Sequence, residues 1–202
     1  LTHEYQRMGA LKGIVLDADG SVIYNYFTEF GLTAQTINVA MAAGTKMLQV
    51  FVAIKRVIED KLGGVMSDGY LVLCSPEFFD AFTSHPAVTE TYMAQAGGVL
   101  RSDLRGGFTF ASDMRFEEYR GTVGGTRFIG AGKALVIPLG VPDLFKTVYA
   151  PAPCMETVNT EGVPFYAKMK TLDYDTGAEW QVQSNPLHVN TRPDAGVELT
   201  AT

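Results

Sequence analysis

The sequence predicts an α+β fold, with helical and extended stretches kept apart instead of alternating as regular strand–helix–strand units. Three observations carry this. Near the start, two apolar β runs meet at an acidic turn within GALKGIVLDADGSVIYNYFTEFG (Gly9 to Gly31). A long stretch then repeats its apolar residues at helical spacing. From Phe165 onward the pattern is almost entirely β.

Residues 4–12 (EYQRMGALK) read as the last turns of a helix. Ile14 to Leu16 and Ser21 to Phe27 read as two strands, joined by Asp17-Ala18-Asp19-Gly20, the Asp and Gly chemistry of a tight hairpin. A long helix is expected from about Thr36 to Leu62, since Met47, Val50, Phe51, Ile54, Val57, Ile58 and Leu62 recur at three- and four-residue steps. Lys55, Arg56 and Glu59 fall on its other faces, and Gly63-Gly64 ends it. Tyr70 to Cys74 is a short buried strand. Ser75-Pro76-Glu77 then opens a helix with a capping hydroxyl, a proline at the first helical position and an acid at the positive dipole end. Pro86 restarts a helical segment to about Ala96. Beyond a glycine-rich stretch, Phe108 to Ala111, Arg115 to Tyr119 and Lys133 to Pro138 read as strands, and Asp143 to Tyr149 as a short helix or strand. Phe165 to Leu172 and Glu179 to Gln183 flank the turn at 173–177, and His188 to Asn190 and Val197 to Thr200 close the pattern.

With 202 residues the chain can bury roughly 70% of the surface its unfolded form exposes, so it needs neither disulfide nor metal to fold. The longest basic run is Lys55-Arg56 and the net charge is −6, which argues against a dedicated nucleic-acid face. No run of about 18 apolar residues suggests a membrane span. The chain starts at Leu1 with no signal-peptide pattern, and is read as a fragment or a processed product. Cys74 and Cys154 lie far apart and read as inert thiols. His3, His85 and His188 show no metal-ligand spacing.

Two readings of IVLDADGSV compete. Phosphatases of the haloacid-dehalogenase type place a nucleophilic Asp after a buried strand and a second Asp two residues on as acid/base. Asp17 and Asp19 would take those roles with Mg²⁺. That chemistry also needs a downstream Lys and an acidic pair at the ends of parallel strands. The later acidic pair, Asp173 and Asp175, sits in a turn within the β-rich tail. The chain also resumes after the motif with a β run. The hairpin reading is therefore preferred, with the phosphatase as its alternative. An EF-hand fails because Val22 and Thr28 stand where its Gly and Glu belong. The glycine clusters carry no phosphate-loop ending and read as turns. No residue earns a catalytic or metal label, and no cofactor is expected.

Four segments, in order, resemble the lambda-like (gene E-type) major capsid proteins of tailed phages and prophages. They are EYQRMGALKGIVLDADGSVIYNYFTEFGL, SDGYLVLCSPEFFDAFTSHPAV, GKALVIPLGVPDLFKTVYAPAP and YAKMKTLDYDTGAEWQVQSNPLHVNTRPDAGVELTA. The first and last are the more specific. The resemblance implies an HK97-like capsid fold with an axial and a peripheral domain. Residues 1–64 and 156–202 would belong to the peripheral domain and residues 65–155 to the axial one. The N-terminal arm, extended loop and most of the spine helix would lie before Leu1. It also implies a virion coat subunit, made in the bacterial cytoplasm, that is no enzyme and self-assembles into pentamers and hexamers. Scaffold, portal and decoration proteins are its implied partners, with non-specific contact to packaged DNA and none to a membrane. The candidate assembly contacts are the hairpin tip Asp17, Ala18, Asp19 and Gly20, and the helix residues Lys55, Arg56 and Glu59.

Overall fold

The computed structural model describes residues 2–17, 21–95, 107–123 and 125–202. The N-terminal helix α1 (Thr2–Lys12) leads into the antiparallel pair β1 (Ile14–Leu16) and β2 (Val22–Asn25), in register Ile14 opposite Asn25 and Val15 opposite Tyr24. Tyr26–Phe30 is a short helix, α2, so the strand expected to run to Phe27 stops at Asn25. The cause is local. The Asn25 side chain accepts hydrogen bonds from the Phe27 and Thr28 N–H groups, and Gly31, at φ 63°, closes the turn in the left-handed region.

The expected helix from Thr36 to Leu62 is shorter and is preceded by a strand. Gln35–Val39 is β3, and the helix α3 runs over Met47–Leu62. Gly63, at φ 62°, ends it as expected. Next come β4 (Gly69–Cys74), α4 (Pro76–Thr83) and α5 (Pro86–Gln95). Ser75 caps α4 by accepting from the Phe78 N–H at 3.3 Å. Ala96, the glycines at 97–98 and Gly106 lie outside the described residues. They are followed by β5 (Phe108–Phe110), β6 (Met114–Glu118), the two-residue strands β7 (Thr122–Val123) and β8 (Thr126–Arg127), β9 (Lys133–Leu139) and β10 (Phe145–Tyr149). The open choice at 143–149 is settled as strand. The tail holds β11 (Tyr166–Thr171), β12 (Ala178–Gln183), β13 (Pro186–Asn190) and β14 (Val197–Ala201). Separate helical and extended stretches make the α+β class a property of the structure.

The main sheet has six strands in the order β3-β14-β9-β4-β6-β5. β14 runs parallel to β3 and antiparallel to β9; β4 runs antiparallel to β9 and parallel to β6. The central strands β4 and β9 are buried on both faces, which is why they read as unbroken apolar runs. One face carries α3 and α4. Phe51, Ile54 and Ile58 of α3 and Phe78 and Phe82 of α4 pack on Val72, Phe116, Val136 and Leu199. On the other face Leu73, Leu135 and Ile137 pack with Phe128, Ile129 and the α1 residues Tyr5, Met8 and Leu11. The same helix leans on β13. There the Asn190 amide donates to the Ala10 carbonyl at 3.1 Å, and the Tyr26 hydroxyl donates to the His188 carbonyl at 2.7 Å. Strands from the first and last blocks of the sequence, β3 and β14, thus enter the same sheet as the central strands.

Candidate assembly surfaces

The two aspartates mark a bend in antiparallel backbone. The Asp17 N–H donates to the Ser21 carbonyl at 2.8 Å, and β1 and β2 form their own two-stranded ladder. A haloacid-dehalogenase site needs its first aspartate at the carboxyl end of a strand in a parallel sheet, and β1 pairs antiparallel with β2 alone. The phosphatase alternative is therefore unsupported. Asp17 is exposed at the start of the turn; Ala18, Asp19 and Gly20 lie outside the described residues. Among the described residues, no three His, Cys, Asp or Glu side chains converge to hold a metal ion.

The three helix residues separate. Arg56 and Glu59 are exposed on α3, although Glu59 also accepts from the Tyr70 hydroxyl at 3.1 Å. Lys55 turns inward. Its ammonium donates to the Ala111 carbonyl and the Asp113 carboxylate and lies 5.7 Å from the centre of the Tyr70 ring. Burial pulls its pKa below the ordinary lysine value. What it holds is a strained turn: Ala111 and Ser112, between β5 and β6, have φ of 53° and 75°, which cost non-glycine residues roughly 1 kcal/mol each. The sequence places all three charges off the apolar stripe, but it cannot show that a turn fifty residues away takes up one of them.

The two buried histidines are structural. His85 reaches the Ala42 carbonyl at 2.8 Å and accepts from the Ala87 N–H at 3.3 Å. His188 contacts the Thr147 hydroxyl through Nδ1 at 2.9 Å, while its Nε2 has no partner among the described residues. Burial, then the positive charge of Arg7 and of His3, holds its pKa below the ordinary histidine value. Cys74 is fully buried, which pushes its thiol far above the usual range, whereas Cys154 is half-buried.

The surface that sequence reading missed is the β11–β12 hairpin. Its register, Ala167 opposite Val182 and Met169 opposite Trp180, gathers apolar side chains on one face. Tyr166, Lys168 and Lys170, opposite Gln183, Gln181 and Glu179, form the other. The polar face is turned toward the segment 152–157, where Lys168 meets the Glu156 carboxylate at 3.2 Å. The apolar face points outward: Met169, Trp180 and Val182 are 56, 66 and 67% exposed. The period-2 alternation was legible in the sequence; which face would be inward was not.

The sequence pattern of the family described as phage major capsid protein E matches residues 1–201. The chain belongs to that family. It is 36% identical over 167 residues to the major capsid protein of Pseudomonas phage KPP10, covering 73% of this chain and 47% of that one. It is 27% identical over 240 residues to the major capsid protein of Salmonella phage Felix O1, covering 100% of this chain and 64% of that one. The chain thus spans between about half and two thirds of the length of these relatives. Among solved structures it is similar to the asymmetric unit of the mature capsid of bacteriophage PhiM1, at 13% identity and a TM-score of 0.45, covering 100% of this chain and 59% of that one. The family resemblance drawn from the four sequence segments is borne out.

Proposed function

We propose that this chain is the shell-forming part of a tailed-phage or prophage coat protein, built on the HK97-like plan and assembling into the pentamers and hexamers of a head that encloses DNA. The observation that carries the reading is the family match over residues 1–201. The physical chemistry agrees with it. Exposed apolar faces and open strand edges supply contacts that are individually weak, and a closed shell multiplies them. A net charge of −6 keeps the inner wall from gripping packaged phosphates, so contact with DNA is non-specific. The central block 65–155 would be axial apart from β10, which pairs with β13, and would be joined by β3 and β14, which are hydrogen-bonded into its sheet; α1, the first hairpin and β10–β13 would be peripheral. Scaffold, portal and decoration proteins would meet the finished shell, which forms in the host cytoplasm. The subunit itself performs no chemistry.

The test is to express the complete reading frame and examine it by sedimentation and electron microscopy. Closed shells are expected; free monomers under every assembly condition would overturn the reading. Incubation with a generic phosphate ester and Mg²⁺ should release no phosphate, and turnover lost in Asp17→Asn would restore the phosphatase. Reversing the charge of Arg56 with Arg56→Glu should reduce shell yield with melting unchanged, whereas wild-type yield would remove that face of α3 from the contacts.

A further inference from the structure

The β11–β12 hairpin leaves its apolar face in solvent, while on its other face Lys168 reaches Glu156 of its own chain. From this we infer that the outer face of the hairpin, carried by Ala167, Met169, Trp180 and Val182, docks onto a second copy of the chain. The inference deepens the coat reading and rests on it, since it names one surface through which copies would meet.

Three observations point to a protein surface, and to this chain's own. First, a lone two-stranded ladder is marginal in water, and one gains stability when its apolar face is covered; no described element of the chain covers this one. Second, the area fits. Met169, Trp180 and Val182, with Phe165 at 73% exposure, present on the order of 500 Å² of apolar surface. That is more than half of the ~800 Å² that each partner contributes to a standard interface. The concavity at Met169, Trp180 and Val182 is open and shallow, and would leave a small ligand largely in solvent. A membrane would need the lysines at the rim of the apolar face, yet Lys168 and Lys170 stand on the opposite one, where Lys168 meets Glu156 and Lys170 lies across from Glu179. Third, the chain carries a second, different apolar patch, the exposed Val22, Tyr24 and Phe30 of β2 and α2. Two unlike patches on one subunit are what a head-to-tail ring contact requires.

Trp180 is the single tryptophan of these 202 residues and serves as the probe, with any tryptophan elsewhere in the complete reading frame replaced by phenylalanine. The experiment uses the complete reading frame, wild type and the surface variants Val182→Lys and Met169→Lys, which keep that tryptophan. Emission and acrylamide quenching are read in dilute solution and after assembly, with circular dichroism and melting as folding controls. The expected result is a shift of wild-type emission to shorter wavelength with reduced quenching on assembly. Each variant should lose at least tenfold in assembled yield at unchanged melting temperature. Shells in which Trp180 stays as quenchable as in dilute protein, or variants that assemble at wild-type yield, would overturn the inference and leave the coat reading standing. If the wild type forms no shell, the coat reading fails; a solvated Trp180 at every concentration would then refute the docking surface too. Should a variant misfold, the wild-type quenching comparison decides alone.

Discussion

Replacing Phe82 with alanine tests the packing that holds α4 to the main sheet. Phe82 is fully buried, and its ring lies 4.4 Å from that of Phe116, 5.2 Å from Phe51 and 5.4 Å from Phe110, centre to centre. The three partners come from a strand, a helix and a second strand, so their backbones cannot all close on the space left behind. Truncating a buried phenylalanine in such a site costs roughly 3–5 kcal/mol, and the lost ring–ring contacts place this one in the upper half, at about 4 kcal/mol. That is a large share of the ~5–15 kcal/mol that holds a domain together. For a chain of this length it lowers the melting temperature by roughly 8–16 °C. Urea titration followed by circular dichroism measures the loss, with Val182→Ser on the exposed hairpin as a control expected to stay within about 0.5 kcal/mol. A loss below about 1.5 kcal/mol for Phe82→Ala would refute the aromatic cluster as the centre of the core.

Other outcomes follow from the buried charges and thiols. Lys55→Met should cost about 1–2 kcal/mol, because it frees the Ala111 carbonyl and the partly exposed Asp113 from their charged donor, and Ser112→Gly should restore part of it by relieving the positive φ; equal stability of Lys55→Met and wild type in urea would contradict this. His188 should make folding acid-sensitive. The unfolded chain takes up a proton near pH 6.5 while the folded one resists, so stability is complete above that value and falls as pH drops from about 6.5 through the lowered folded pKa. In urea titrations at pH 7.5 and 5.0, His188→Gln should lose less stability on acidification than wild type, and an equal loss in both would rule out this group as the cause. A thiol reagent should modify Cys154 in the folded protein and reach Cys74 only in denaturant; rapid labelling of both would show that β4 is less enclosed than its burial indicates.

Most elements were legible where the signal is local. The Ser75-Pro76-Glu77 start of α4, the glycine end of α3 and the alternation of β11 and β12 are written within a few residues. β3 was not, although Ile37 and Val39 alternate, because its identity comes from pairing with β14 some 160 residues later. The alanines at 40, 42 and 43 favour the helix that was expected there. α2 was hidden for the opposite reason: Tyr26, Phe27 and Phe30 suit a strand, and one Asn25 side chain reverses the preference. For the candidate assembly surfaces, the sequence identified Arg56 and Glu59 as solvent-facing, but it could not show Lys55 bent back to its turn. Nor could it show that the apolar side of the β11–β12 hairpin would be left in solvent.

The position of β14 has a consequence for biogenesis. The strand lies between β3 and β9, so until residues 197–201 leave the ribosome β9 has a bare edge and β3 has no neighbour. At ordinary translation rates that interval lasts on the order of 3–12 s after β9 emerges. A nascent or nicked chain without this last strand would offer β9 as a template for stray pairing, so this edge is protected only once synthesis has passed residue 201.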